Sequence, residues 1–244
     1  VVDDGGQENL KEILNKEFKE ISVLVNEKNV GFSKSVNRGM FESHGKYIML
    51  LNSDVKLIDD SYKKSISEFE KNDDLFALSF IQIEKDGKLV GKNEIYFEKG
   101  FYYHRGIDDN KMGENGWAEG GSAIFDAAKL KELKGFDEIF SPFYWEDIDL
   151  SYRAGQKYWK VLFYPLVKVE HHHESTIAKY HEKESVNVIA LRNQFLFTWK
   201  NLECGKMLLD NIEYTIYYFF INIIKLNFNY HKALFWALYL RFTI

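Results

Sequence analysis

Three carboxylates crowd one short stretch of the chain: Glu146, Asp147 and Asp149 follow directly on Phe143-Tyr144-Trp145. Acids so placed can supply a general base, ligate a metal, or open a helix whose macrodipole favours first-turn acids by ~0.3–1 kcal/mol each. A further acid, Asp54, closes the apolar run Lys46–Leu51 in the triplet Asn52-Ser53-Asp54. The end of a buried strand is where a cation bridging phosphates would sit, because Mg²⁺ takes one or two carboxylates plus substrate phosphates. The plainer reading is a cap for the helix near Asp59-Asp60. Asp3 and Asp4 stand in the turn Asp3-Asp4-Gly5-Gly6, where they can cap the next helix or meet a ligand at the carboxyl end of a strand. Late in the chain, His171-His172-His173 end a strand, which puts His171 and His173 on one face and His172 on the other. A polar strand end or a metal site both fit, but no H-E-x-x-H helix spacing is present for a zinc hydrolase.

The elements that must position these groups follow from periodicity. Leu10, Ile13, Leu14 and Phe18 predict a helix, and Ile21–Val25 a short strand. Ser33 is the predicted N-cap of a helix carrying Val36, Met40 and Phe41, with Asn37 exposed or aimed at a ligand or loop. Lys46–Leu51 is a strand, Ser61–Asn72 a helix with Ile66 and Phe69 inward, and Leu75–Ile83 a strand. The order βαβαβαβ predicts an α/β fold with a mostly parallel sheet covered by helices. Lys92–Gly116 is polar and aromatic with no clear period, and reads as an excursion or flexible loop over the carboxyl edge of the sheet. Its His104 and Arg105 could meet an anion, the plainer reading being isolated surface residues. Asp126 caps a helix with Leu130 and Leu133 inward, ended by Gly135. Strands 161–164 and 167–169 flank Pro165. Glu184–Leu202 is a helix with Val186, Ile189, Ala190 and Phe197 on one side and Arg192-Asn193 near its middle.

Composition bounds the function. At 244 residues, 45% hydrophobic and 28% charged, the chain suits one large α/β domain with an appendage. A net charge of −5 argues against a nucleic-acid partner. The single cysteine, Cys204, excludes an internal disulfide and a thiolate zinc cluster, which points to a reducing, cytoplasmic setting. The expected division is a domain over 1–204 and an amphipathic, aromatic helical tail over 205–244. No Asp or Glu occurs from Tyr214 onward. The longest uncharged run there, Tyr214–Ile224, falls short of the roughly 20 apolar residues that span a bilayer. Such a segment lies on a membrane surface, here the inner face of the cell membrane, or packs as a helical pair on the domain or another subunit.

Taken in order, the motifs are Val-Asp-Asp-Gly, Asn-Val-Gly-Phe with Asn37-Arg38-Gly39, Leu-Asn-Ser-Asp-Val, Gly-Gly-Ser-Ala-Ile-Phe, Gly-Phe-Asp-Glu, Trp-Glu-Asp-Ile-Asp-Leu-Ser-Tyr-Arg, Val-Glu-His and Arg192-Asn193. Over residues 1 to about 204 this series resembles the family 2 glycosyltransferases of GT-A fold, in particular their rhamnosyltransferase-like branch. The resemblance implies an inverting, metal-dependent transferase of cell-surface polysaccharide synthesis. It would move a hexosyl or rhamnosyl group from a nucleotide-sugar to a glycan or lipid-linked saccharide. It implies donor contacts at Asp3, Asp4, Asn29, Asn37, Asn52, Ser53 and Asp54, and a Mg²⁺ or Mn²⁺ ion on Asp54 with His171 or its rival His173. It also implies acceptor and sugar contacts at Gly120, Gly121, Trp145 and Glu146, with Asp147 as general base. Two departures stand out. The strand and helix that normally precede Val-Asp-Asp-Gly are absent, and Gly6 stands where Ser or Thr is usual. A non-catalytic nucleotide- or glycan-binding module is the alternative, and a His/Asp metallohydrolase a third.

Overall fold

The computed structural model describes residues 1–6, 9–171 and 182–243. Its centre is β5 (Leu75–Ile83), buried along its length except at Ile83. A strand so uniformly buried has cover on both faces. β10 (Ser122–Asp126) pairs antiparallel on one side and β11 (Lys160–His171) parallel on the other. β3 (Tyr47–Leu51) lies antiparallel beyond β10, and β4 (Val55–Leu57) antiparallel beyond β11. Thus β3, β5 and β11 share one direction while β10 and β4 run against it, a mixed sheet in an α/β fold. β6 (Leu89–Val90) and β9 (Gly113–Glu114) add short antiparallel pairings to β5 and β11. β1 (Val2–Asp3) and β2 (Leu24–Val25) form a separate parallel pair, with α1 (Leu10–Glu17) between them in sequence.

Side chains alternate between the faces of the sheet. Ala77, Ala123 and Phe125 pack with Met40 of α2 (Phe32–Phe41), Leu130 of α4 (Ala127–Glu132) and Leu150 of α5 (Glu146–Gln156). Leu78, Phe80 and Ile124 pack on the other face with Phe69 of α3 (Lys63–Lys71). Ile66 of α3, predicted inward, is 39% exposed, because one residue per turn suffices to anchor this short helix. Asp126 and Gly135 cap and end α4 as the pattern predicts. Asp126 accepts from the Lys129 N–H, and Gly135 takes φ 68.

Three expectations need correction. Ser33 is not the N-cap of α2; Gly31, at φ 92, takes that place and Ser33 is buried in the first turn. The two strands around Pro165 are one strand, β11, whose register slips between Tyr164 and Lys168, where proline cannot donate to the ladder. The stretch 92–116 is no flexible loop. It holds a hairpin of β7 (Asn93–Glu98) and β8 (Phe101–Gly106), joined through Lys99 and Gly100 at φ 47 and 77. Two successive positive φ values make the tight turn whose twist suits a hairpin. Aromatics on both faces hide the two-residue period, because both faces pack: Phe101 meets Phe195 and Tyr218, and Tyr102 meets Tyr152 and Phe197.

The stretch after Cys204 is helical, as expected, and packs on the domain, one of the two placements the sequence allows. The helices α6 (Lys183–Lys200), α7 (Gly205–Ile224) and α8 (Asn229–Thr243) share one apolar cluster with the hairpin. Phe101, Trp145 and Phe195 meet Tyr230, Ala233 and Leu234 there. Asn211 of α7 donates to the Gly100 carbonyl at 2.7 Å and accepts from the Trp199 indole at 3.1 Å. The C-terminal helices therefore belong to the same body as the sheet. No described helix is long and apolar enough to cross a membrane.

Candidate active site

The site is assembled around the turn Gly120-Gly121, at the entry to β10. The Gly120 N–H donates to Asp147 Oδ2 at 3.3 Å, so the first acidic side chain of α5 to face the sheet is tied to this turn. On the other side, the Asn52 N–H donates to the Gly121 carbonyl at 3.0 Å. A Cβ on Gly121 would lie 2.3 Å from Asn52 Nδ2, so only glycine leaves room for that amide. The turn thus joins the Asn52-Ser53-Asp54 triplet to the acids of α5. Ser53 is exposed and Asp54 half-buried.

Asp54 meets His171 because β4 and β11 pair with Val55 opposite His171. His171 Nε2 lies 3.5 Å from Asp54 Oδ2, and Nδ1 is 2.6 Å from Gln82 Oε1. With Nδ1–H donating to Gln82, Nε2 is turned toward Asp54, the arrangement in which a second hydrogen bond orients a ligating imidazole. A carboxylate and a neutral imidazole side by side fit a divalent cation whose remaining ligands are phosphates and water. His172 and His173 lie outside the described residues.

The acids around Gly120 differ in charge state. Burial pushes Asp147 up to about 6, opposed by the N–H groups of Ile148 and Gly120 that donate to its carboxylate. Burial and the negative Asp147 push Glu119 up to about 8. Burial, then Asp147, also drives Glu146 well above the usual carboxylate range, and its Oε2 has no hydrogen-bond partner among the described residues. Asp147 is therefore ionised at neutral pH where Glu119 is not. Asp149 is apart from this group: it is buried and paired with Arg153 Nε and Lys200 Nζ, each at 2.7 Å.

Sequence reasoning missed Glu119. It reads there as an isolated acid before a turn, yet Asn93 Nδ2 lies 3.4 Å from its Oε1 and Ser79 Oγ accepts from its N–H at 3.4 Å. Those partners are far away in sequence, so no local pattern marks them.

The loop before α5 is held from α6. Tyr144 and Trp145 take φ 72 and 74 in succession, a conformation costing on the order of 1 kcal/mol or more per residue. Asn193 Nδ2 donates to the carbonyls of Phe140, Phe143 and Tyr144 at 2.7, 3.0 and 2.9 Å. Arg192 donates to the Ser141 carbonyl and to Asn193 Oδ1, and Trp236 of α8 stacks 4.2 Å from its guanidinium carbon. Trp145 itself is 4% exposed, its ring set edge-on to His104 and tilted against Phe197. Arg105 pairs with Glu94, so neither His104 nor Arg105 is an isolated surface residue.

The residues expected on the nucleotide side divide. Asp4 accepts from Asn26, Val30 and Gly31, and Asn29 from Gly31, so both shape the loop that leads into α2. Asp3 is buried and accepts the Gly6 N–H at 2.8 Å. A Cβ on Gly6 would fall 2.7 Å from Asp3 Oδ1, which explains glycine there in place of Ser or Thr. Asn37 is a correction. It is buried, and its amide donates to the Phe136 carbonyl and accepts the Phe136 N–H, both at 2.8 Å. It fastens the Gly-Phe-Asp-Glu corner and has no face left for a nucleotide.

Residues 1–134 match the family described as glycosyl transferase family 2, a match that stops short of the α5 acids. No curated protein matches the chain. Among solved structures it is similar to GalNAc-T7 with UDP, GalNAc and Mn²⁺, at 15% identity and a TM-score of 0.62, over 81% of this chain and 40% of that one. It is similar to the mannosyltransferase PcManGT from Pyrobaculum calidifontis with GDP-Man and Mn²⁺, at 11% identity and a TM-score of 0.56, over 97% and 64%. It is also similar to S. aureus TarS 1–349, at 16% identity and a TM-score of 0.50, over 88% and 68%. The chain spans less than two thirds of the first two of these proteins, and at such identities the likeness establishes the GT-A fold alone. With the family match covering more than half of its length, the chain belongs to glycosyl transferase family 2.

Proposed function

We propose that this chain carries the active site of an inverting glycosyltransferase. It would transfer a hexosyl or rhamnosyl group from a nucleoside-diphosphate sugar to a hydroxyl of a glycan or lipid-linked saccharide. The supporting observation is the Gly120-Gly121 turn, with the Asp147 carboxylate on one side and the Asn52-Ser53-Asp54 triplet on the other. Inversion needs a base and a leaving-group site that flank the sugar, and this turn sets one on each side of a small-residue gap. Asp147, ionised at neutral pH, takes the proton from the acceptor hydroxyl as its oxygen forms a bond to the anomeric carbon. The bond from that carbon to the diphosphate oxygen breaks, and the nucleoside diphosphate leaves on the Asp54 side. Asp54 and His171 would hold a divalent cation, which when bound offsets the charge gathering on the diphosphate. Glu119, protonated at neutral pH, can donate a hydrogen bond to an acceptor hydroxyl, and Glu146, whose burial favours its neutral form, stands beside it. Asp3, Asp4 and Asn29 keep their place on the nucleotide side through the loop they shape.

Asp147→Asn tests the reading. Transfer should fall by about 10³-fold or more, while UDP binding by calorimetry stays within about twofold. Transfer at the parent rate would remove Asp147 as base. Failure of the parent to hydrolyse or transfer from any nucleotide-sugar, with UDP still bound, would favour the non-catalytic module.

The reading includes contact with a lipid surface, supported by the apolar outer face of α7 and the lack of acids from Tyr214 onward.

A further inference from the structure

A cavity of about 250 Å³ opens between β8 and α6, away from the Gly120-Gly121 turn. Tyr103, His104 and Trp145 present rings to it, Asn187 and Gln194 present amides, and Leu191 adds an aliphatic wall. Among the described residues no Lys, Arg, Asp or Glu lines it, and burial lowers the pKa of His104, which favours the neutral imidazole. The lining therefore offers neither a counter-charge for phosphate nor one for an ammonium group.

Rings and amides together match one ligand class. A pyranose has a face of C–H bonds and a rim of hydroxyls, each both donor and acceptor. Aromatic rings cover the first, and a primary amide, with a carbonyl and an NH₂, serves adjacent hydroxyls of the second. Gln194 Nε2 donates to the Tyr102 carbonyl at 2.8 Å, which fixes the side chain and presents its Oε1 as an acceptor. Asn187, one turn and more away on α6, is exposed. The volume is below the ~300 Å³ at which drug-sized pockets begin, which suits one ring rather than an oligosaccharide.

The position of the cavity gives its ligand a role. Trp145 is the N-cap of α5, whose first two residues are Glu146 and Asp147. The His104 ring is edge-on to Trp145 at 5.0 Å and to Trp117 at 5.3 Å, and Trp117 stands two residues before Glu119. The cavity thus borders both segments that bring the acids to the turn. Its far wall is α6, the helix whose Asn193 holds the loop carrying Trp145.

We propose that this cavity is a subsite for one neutral pyranose ring of the acceptor saccharide, packed on Tyr103 and His104 with Trp145 beneath, and hydrogen-bonded by Asn187 and Gln194. The word acceptor rests on the transferase reading; the sugar site does not. Saturation-transfer NMR on the full chain with UDP and Mg²⁺ tests it, using methyl α- and β-pyranosides of glucose, galactose, mannose and rhamnose as probes. At least one should show transfer to its ring C–H protons with a Kd of about 1–10 mM, a usual range for a single weak contact set. Asn187→Ala and His104→Ala, both at exposed positions, should each weaken it by about fivefold. No response from any pyranoside overturns the proposal, as does equal affinity in the parent and both variants. Tenfold tighter binding of glucose 6-phosphate than of methyl glucoside overturns the neutral ligand. Nucleotide titration separates the two readings. Pyranoside binding with no response to UDP, GDP or dTDP sinks the transferase reading and leaves the subsite standing, and nucleotide binding without pyranoside binding sinks the subsite alone.

Discussion

Asp147 and Glu119 are both carboxylates at the edge of one turn, and what separates them is the backbone. Asp147 receives the N–H groups of Ile148 and Gly120, which stabilise its charge, whereas Glu119 receives a side-chain amide and faces the negative Asp147. The pair titrates as a unit, the first proton leaving near pH 6 and the second near pH 8. Transfer should therefore rise with pH through about 6, because protonated Asp147 cannot accept the hydroxyl proton, and level off above it. A profile of kcat/KM against pH at saturating Mg²⁺ checks this. In Glu119→Gln the amide copies the neutral acid, so the limb should stay near pH 6 while any inflection near 8 disappears. A limb that moves by about one unit or more would show that ionised Glu119 takes part in the proton transfer. Asp147 drew notice in the sequence because its type, its neighbour Glu146 and its place after an aromatic run mark a carboxylate cluster, although base, metal ligand and first-turn acid all fitted it there. Glu119 was not, because its burial depends on Asn93 and Ser79, which the hairpin and β5 bring to it from afar.

The loop before α5 and the helix α6 form one mechanical unit. Phe140 to Trp145 has almost no ladder or helix bonds of its own, and its carbonyls are satisfied by two consecutive residues of α6. Each buried carbonyl left without a donor costs about 1–3 kcal/mol, so Asn193→Ala should lose at least that much stability and let Tyr144 and Trp145 relax from their positive φ values. The sharper expectation is kinetic. Transfer should drop by about tenfold or more while UDP affinity stays within about twofold, because the clamp acts on the α5 acids and not on the nucleotide-side loop. Equal losses of both, measured by calorimetry and turnover at a temperature well below Tm, would make Asn193 a general stability residue. The sequence marks Arg192-Asn193 as unusual, two polar residues inside an apolar helix, but their target lies some 50 positions earlier and carries no sign of needing support. The hairpin escaped for a related reason. Its period is masked by aromatics whose partners, Phe195 and Tyr218 for Phe101, lie on the helices beyond the sheet.

For the whole molecule, the question is what covers the outer side of the C-terminal helices. The amphipathic tail read from composition is half right in physical terms. α8 turns Tyr230, Ala233, Leu234 and Ala237 into the core, and its Trp236 braces Arg192. α7, in contrast, buries Asn211 alone. Ile212, Ile216, Phe220 and Ile224 recur every fourth residue along it and are all exposed, Phe220 by 60%. This is a continuous apolar stripe on one face. Lys225 and Arg241 accompany it with no acid from Tyr214 onward, while Lys232 is paired with Glu184. An apolar stripe with cationic flanks suits an anionic lipid surface, into which such a helix sinks by about 5–10 Å. Deleting 205–244 is not a clean test, since it would strip the cover from Phe195 and leave Asn211, Gly100 and Trp199 without one another. Ile216→Glu with Phe220→Glu keeps the buried side of α7 intact. Removing two apolar side chains worth about 1.5–3 kcal/mol each on burial should lower the fraction sedimenting with phosphatidylglycerol vesicles by at least about tenfold. The parent should sediment with those vesicles and less with phosphatidylcholine alone. A parent that stays in the supernatant with both, or a variant that sediments as the parent does, would mean that the stripe meets something other than lipid. Dimerisation of the parent that the two glutamates abolish would identify that cover as a second copy of the chain.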